Sequence, residues 1–245
     1  MYSACPKCGH APMPQQQAFP AACPACGVIL AKVGQVARRT VVVEPESDEP
    51  SVLLALPKRV DPARWWLRVV LWALFTVWGV RLIGADHRTG DIGESFLHGP
   101  LLIFHEAGHV LFALFGEWLR MAGGSIFQLL LPGMICWTLL FKQRDAFGAA
   151  IGLWLLGVSL LDLAPYVYDA LHPQLMLITG ATGEEGGHDW IYLLSSLHLL
   201  PQAQTLGGLL RVLGASVVIV ALAWAGLVLW LQRRHFAAGE VIQEE

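Results

Sequence analysis

Charge is scarce in this chain. Only 14% of its 245 residues are Asp, Glu, Lys or Arg, where a soluble domain carries about a quarter. The net charge is −3, with no basic excess to hold a nucleic acid. The first thirty residues lack an apolar run of the kind a secretory signal needs and are rich in Cys, Pro and Gln instead, so no signal peptide is expected. No internal repeat is present, which excludes a solenoid or propeller. What remains is apolar: 55% hydrophobic residues, a mean hydropathy of +0.54 and ten tryptophans, a residue that favours membrane interfaces. The expected class is mainly α, a polytopic transmembrane helix bundle with a small N-terminal appendage.

Cysteine is also sparse, and four of the five are paired in Cys5-Pro6-Lys7-Cys8-Gly9 and Cys23-Pro24-Ala25-Cys26-Gly27. Two C-P-x-C-G knuckles at this separation match a zinc ribbon better than a disulfide framework. The glycine after each second cysteine permits the tight turn that aims backbone N–H groups at thiolate sulfur. Thiolate ligands require a reducing compartment, so the N-terminus is expected in the cytosol. Cys136, alone in an apolar run, reads as a small core residue.

Four regions follow: a zinc ribbon over 1–34, a linker over 35–63, a membrane domain over 64–234 and a tail over 235–245. The linker holds the β-prone Thr40-Val41-Val42-Val43, the acidic stretch from Glu44 to Pro50, and a short run from Val52 to Leu56 that suits a strand or an interfacial segment. Apolar runs at 65–84, 96–116, 125–141, 147–163 and 206–231 predict four to five spans. The run at 191–200 is too short to cross. Five full crossings would put Lys142, Arg144, Arg233 and Arg234 opposite the basic residues that precede the first span, against the positive-inside rule. A re-entrant 125–141, broken at Pro132-Gly133, would bring every basic cluster inside and face the loop at 166–200 outward. The expected setting is an integral membrane protein, of a bacterial inner membrane.

Within the second apolar run stands His105-Glu106-Ala107-Gly108-His109. A helix puts residues i and i+4 on one face, so both imidazoles can reach one metal ion, and a glutamate between them is the general base of zinc hydrolases. Three ionisable side chains in hydrocarbon need a functional reason. Gly108 would admit a closely packed helix or substrate backbone. Catalytic zinc needs a third protein ligand and an open position. Two clusters offer one: Asp162 to Ala170, and His188-Asp189-Trp190. Asp169 or His188 is expected to complete the site, with Asp162 orienting a ligand histidine from behind. Tyr166, Tyr168 and Trp190 suit interfacial anchoring or a substrate entrance.

These residues resemble the site-2 protease class of intramembrane zinc metalloproteases, which has H-E-x-x-H in one membrane helix and a distant Asn-x-x-Pro…Asp-Gly segment. The resemblance covers about residues 96–170. It implies that His105 and His109 are ligands, that Glu106 is the catalytic base, and that Asp169 is the third ligand within Asp162-x-x-Pro165 followed by Asp169-Ala170. The segment departs from the class pattern in carrying aspartate for asparagine and alanine for glycine. Gly123-Gly124-Ser125 resembles the glycine-bearing segment that follows the histidine helix in that class. The layout of ribbon plus spans is also similar to a group of uncharacterised bacterial membrane proteins.

The function expected is therefore a membrane-embedded zinc metallopeptidase with one catalytic and one structural Zn²⁺. Its partners would be membrane lipids, a membrane-associated peptide substrate and a cytosolic protein at the ribbon, with no nucleic acid. The alternative is a non-catalytic metal-binding scaffold whose ribbon recruits a partner. Metal transport or sensing through His87, His98, His105 and His109 is a third reading. A haem helix pair using His98 or His198 is a fourth.

Overall fold

The computed structural model describes residues 2–13, 15, 21–30, 52–54, 61–178 and 180–241, with side chains to 234. The β-prone and acidic linker runs, with Lys58 and Arg59, lie outside the described residues. The chain divides into two units, Met1–Asp48 and Glu49–Glu245.

In the first unit the two knuckles repeat one backbone pattern. Gly9 N–H bonds to Cys5 C=O and Gly27 N–H to Cys23 C=O, each at 2.8 Å. Both glycines are left-handed, with φ of 74° and 70°, a conformation that costs other residues about 1 kcal/mol or more.

The second unit is helical. Helix α1 (Pro62–Gly84) starts where Asp61 accepts a bond from Ala63 N–H and proline occupies the first turn. Helix α2 (His98–Phe112) is followed by a short 3-10 turn and by Gly116 at φ +94°. Helix α3 (Glu117–Trp137) continues through a π turn at Thr138–Lys142. Helix α4 (Ala146–Asp169) is capped by Asp145, α5 (Asp189–Ser196) is short, and α6 (Ala203–Val241) is the longest. Among the described residues there is no strand, only isolated β-bridges at Ala22–Ile29 and Met176–Thr182. The segment Val52–Leu54 forms a 3-10 turn, and Leu53 C=O accepts a bond from Trp224 Nε1.

Four helical stretches are long and apolar enough to cross a membrane: Pro62–Gly84, Glu117–Lys142, Ala146–Asp169 and Leu200–Arg234. This corrects the expected pattern in two places. The stretch at 125–141 is not broken at Pro132-Gly133, because α3 runs through both residues. Proline removes a single helical hydrogen bond, a loss that neighbouring helices can absorb in a membrane protein. The short element is α2: its 15 residues give about 22 Å of helix, against about 30 Å of hydrocarbon. The tail also differs, since α6 continues to Val241.

Helix α4 is the buried centre and α1 the most exposed span. Trp154 of α4 is fully buried, with Phe75 edge-on at 4.6 Å. Helices α4 and α6 meet through Gly157 and Gly214, where a methyl on either glycine would lie within 3.0 Å of the other's carbonyl oxygen. Such small-residue contacts let backbones approach in lipid, where dispersion rather than water exclusion drives helix packing. At one end of the bundle Arg68 pairs with Asp145 at 3.2 Å, Trp65 Nε1 donates to Leu229 C=O, and Arg233 stacks over Trp65. Lys142 lies over Trp137 near the same end of α3 and α4.

Candidate metal centres

The four paired cysteines come together in the first unit. Cys5 Sγ lies 3.7 Å from Cys26 Sγ, and Cys8 Sγ lies 3.8 Å from Cys23 Sγ. A disulfide needs about 2.05 Å, and all five cysteines are free. Four sulfurs about 2.3 Å from a tetrahedral zinc ion would stand about 3.8 Å apart, so the cluster is dimensioned for a metal it can hold. Lys7 N–H points at Cys5 Sγ at 3.4 Å. Burial works against the Cys5 thiolate, but hydrogen bonds from the Cys8 and Lys7 backbone, with side-chain bonds from Cys8 and Cys23, outweigh it and hold this thiol down to about 6.

The second centre lies where α2, α3 and α5 converge beside α4. Helix α2 presents His105 and His109 one turn apart, with ring centroids 4.9 Å from each other. The carboxylate between them is Asp189, the first residue of α5. Its Oδ2 is 3.0 Å from His105 Nε2 and 3.2 Å from His109 Nε2. Tyr166 donates its hydroxyl proton to the same oxygen at 3.2 Å and accepts Asp189 N–H at 3.1 Å. Helix α5 is pinned to α3 by two indoles: Trp190 donates to Ser125 Oγ and Trp118 to Ser196 Oγ. Leu193 and Leu194 are buried beneath it.

The outer ring nitrogens define what the inner ones can do. His109 Nδ1 is 2.7 Å from Arg120 C=O, which can only accept, so Nδ1 carries a proton. His105 Nδ1 is 3.0 Å from Gln128 Oε1. In neutral rings both Nε2 lone pairs face a carboxylate oxygen, so the three atoms at about 3 Å need a cation among them, either a proton on a ring nitrogen or a metal ion. Donors about 2.0–2.2 Å from a tetrahedral zinc ion would stand roughly 3.3–3.6 Å apart, within a few tenths of an ångström of these spacings. Gly124 leaves the space: a methyl there would sit 2.5 Å from His105 Nε2 and 2.7 Å from His109 Nε2. The residues fit a divalent metal on these grounds. Burial opposes the Asp189 charge, but hydrogen bonds and positive charge from the two imidazoles, when these carry protons, outweigh it and hold the carboxyl down to about 2.

Of the residues singled out in the sequence, His105 and His109 are brought together with Asp189 as a group that can hold a metal. Asp169 and His188 are not among them, contrary to the expectation that one would be the third donor. They face each other instead, His188 Nε2 lying 3.5 Å from Asp169 Oδ2, while Asp169 accepts the backbone N–H groups of Gln174 and Leu175. The His188 ring stacks on Tyr166 at 4.2 Å and its nitrogens make no hydrogen bond. A chain that turns into α5 at Asp189 aims successive side chains in different directions, which separates His188 from the histidine pair. Gly108 packs against the Gly123 carbonyl, where a methyl would clash.

Glu106 lines a cavity of about 450 Å³ together with His105, His109 and Asp189. Further along it lie His98, Leu175, Met176 and Ile178. Among the described residues Glu106 makes no hydrogen bond, which leaves both its oxygens to a molecule in the cavity. Sequence reasoning missed the ligand geometry of Asp189, although Asp189 and the buried Leu193 stand at i and i+4 of an apolar helix. It also missed Gln128, a glutamine buried in an apolar helix.

Comparison with models of known protein families, with curated proteins and with solved structures finds no match.

Proposed function

We propose that the chain is a membrane metallopeptidase that hydrolyses a peptide bond of a membrane-associated segment, with His105, His109 and Asp189 holding the metal and Glu106 as general base. The observation that carries this reading is the set of three acceptor atoms converging beside a carboxylate that faces an open cavity. Three protein donors leave a position for water and substrate, as catalytic rather than purely structural zinc sites do.

A bound zinc ion would supply a Lewis acid that acidifies water and polarises a carbonyl. Glu106 takes a proton from the attacking water and returns it to the departing amine, so water adds across the C–N bond with no other reactant. Tyr166 holds Asp189 from behind. Leu175, Met176 and Ile178 offer the cavity an apolar wall suited to an apolar peptide.

The geometry also suggests where the substrate meets the enzyme. Tyr166 lies about 30 Å along α4 from Asp145, at 1.5 Å per residue. The site therefore sits near the end of the bundle opposite Arg68, Lys142 and Arg233. With that basic end in the cytosol, as the positive-inside rule favours, the scissile bond lies near the outer membrane boundary. The ribbon, with a zinc of its own, would then sit on the cytosolic side and recruit a partner there.

Replacing Glu106 with Gln tests the reading. The variant keeps its metal and loses hydrolysis of a membrane peptide by ~10²-fold or more. Hydrolysis at the wild-type rate in the Glu106→Gln protein would remove Glu106 from the mechanism.

A further inference from the structure

Asp162 has no part in the mechanism above, yet it is a carboxyl group buried in α4, where an uncompensated charge is costly. Its two oxygens are both engaged. Oδ1 is 2.9 Å from His98 Nδ1, and Oδ2 accepts from Gln128 Nε2 at 3.0 Å. Gln128 in turn places Oε1 3.0 Å from His105 Nδ1. The chain His98–Asp162–Gln128–His105 thus joins α2, α4 and α3 and ends on a metal-binding ring.

The order of atoms along this chain is dictated. A carboxylate only accepts, so the glutamine must turn its NH₂ to Asp162. That leaves its carbonyl for His105, and a carbonyl also only accepts. The His105 proton is then confined to Nδ1 and the Nε2 lone pair is presented to the metal. Turned the other way, Gln128 would set two oxygens against each other at Asp162 and offer a donor to Nδ1, which would drive the ring proton to Nε2 and block coordination. In apolar surroundings an amide with one charged partner has a single satisfied orientation.

We propose that Gln128 is a positioning residue that, locked by Asp162, selects the metal-binding tautomer of His105 and so sets the affinity of the second centre. The inference rests on metal binding at this centre and not on hydrolysis. It gives Asp162 a role that a ligand or a general acid would not have: it acts at one remove, through the handedness of an amide. His109 needs no such device because the Arg120 carbonyl has one polarity only.

The test is cobalt(II) uptake by the full chain in detergent, read by competition with a chelator. The thiolate-bound ion is distinguished by its sulfur charge-transfer absorption from the ion held by nitrogen and oxygen. Gln128→Met removes the acceptor and is expected to weaken the second centre about 10- to 100-fold with the thiolate centre unchanged. Gln128→Glu keeps the wild-type affinity, because a protonated glutamate can donate O–H to Asp162 and still accept from His105. Independently, ¹⁵N spectra of the wild-type rings should show His105 protonated at Nδ1. Equal affinity in Gln128→Met and wild type, an equal loss in Gln128→Glu, or a proton on Nε2 would each overturn the proposal. A wild type that takes up no second equivalent would remove the metal reading and this inference with it.

Discussion

His105 Nε2 and Asp189 Oδ2 face each other at 3.0 Å across a gap that Gly124 keeps free of any side chain. The two residues are 84 positions apart and on different helices. Each has an outer partner: Gln128 Oε1 lies 3.0 Å from His105 Nδ1, and the Tyr166 hydroxyl bonds to both the Asp189 carboxylate and its backbone N–H. Such support of a metal ligand by outer partners is worth about 10- to 100-fold in affinity in other sites.

Gly124 is the first position to test. A methyl at Gly124 would stand where the donors converge, 2.5 Å and 2.7 Å from the two Nε2 atoms. Gly124→Ala is expected to reduce metal affinity of the second centre by roughly 100-fold while the chain still inserts as a helical bundle. Metal content and circular dichroism of the purified protein report the two effects separately. The loss follows because the atoms such a methyl meets are the two imidazole ends themselves, which must turn away from their shared point to make room.

The assignment of the third donor separates two pairs of substitutions. Asp189→Ala should empty the second centre. Asp169→Asn and His188→Ala should leave metal binding and cost stability instead, roughly 1–3 kcal/mol, because Asp169 holds the Gln174 and Leu175 amides and His188 supports the Tyr166 ring. If Asp169→Asn loses the metal as completely as Asp189→Ala, the geometry has been misread.

The ribbon should respond to acid in a defined direction. Backbone and side-chain hydrogen bonds lower the Cys5 thiol below its ordinary value, while its coupled neighbour Cys8 is raised. A depressed acid contributes most above its unfolded value and loses that contribution as pH falls through its folded value. Metal retention by the cysteine cluster is therefore expected to be full at neutral pH and to be lost in acid, as protons compete for the thiolates. Zinc release followed with a chromogenic chelator measures this, and a release curve flat down to pH 4 would contradict it.

The proposed orientation can be read at the two ends of the bundle. Arg144 lies beside the Arg68–Asp145 pair at the basic end, and Arg88 lies in the loop after α1. A cysteine at position 88 should react with a membrane-impermeant maleimide added outside the cell, and one at position 144 should not. The reverse labelling would place the metal site toward the cytosol.

Much of the second centre was visible in the chain itself. The i, i+4 spacing of His105 and His109 needs only a helix to put both rings on one face, and the cysteine knuckles carry their own turn geometry. The third donor was not legible in the same way. Asp189 is placed by the Trp190 and Trp118 indoles that tie α5 to α3 and by Leu194, which packs against Ala170 and Ala203, a tertiary arrangement with no local signature. The spans were misjudged for a related reason. Pro132 and Gly133 read as a break, but a helix flanked by others keeps its course through a single missing hydrogen bond. The histidine helix ends at Phe112, and the chain passes through a 3-10 turn to Gly116, at φ +94°, before α3 begins.

The most direct measurement is the metal content of the 245-residue chain and of two variants, His109→Ala and Asp189→Ala, after exhaustive dialysis. The account predicts two equivalents of zinc in the wild type and one in each variant, the remaining equivalent being lost only when the cysteines are alkylated or acidified. One equivalent in all three proteins would show that the histidine centre holds no metal, and the hydrolase reading would fall with it.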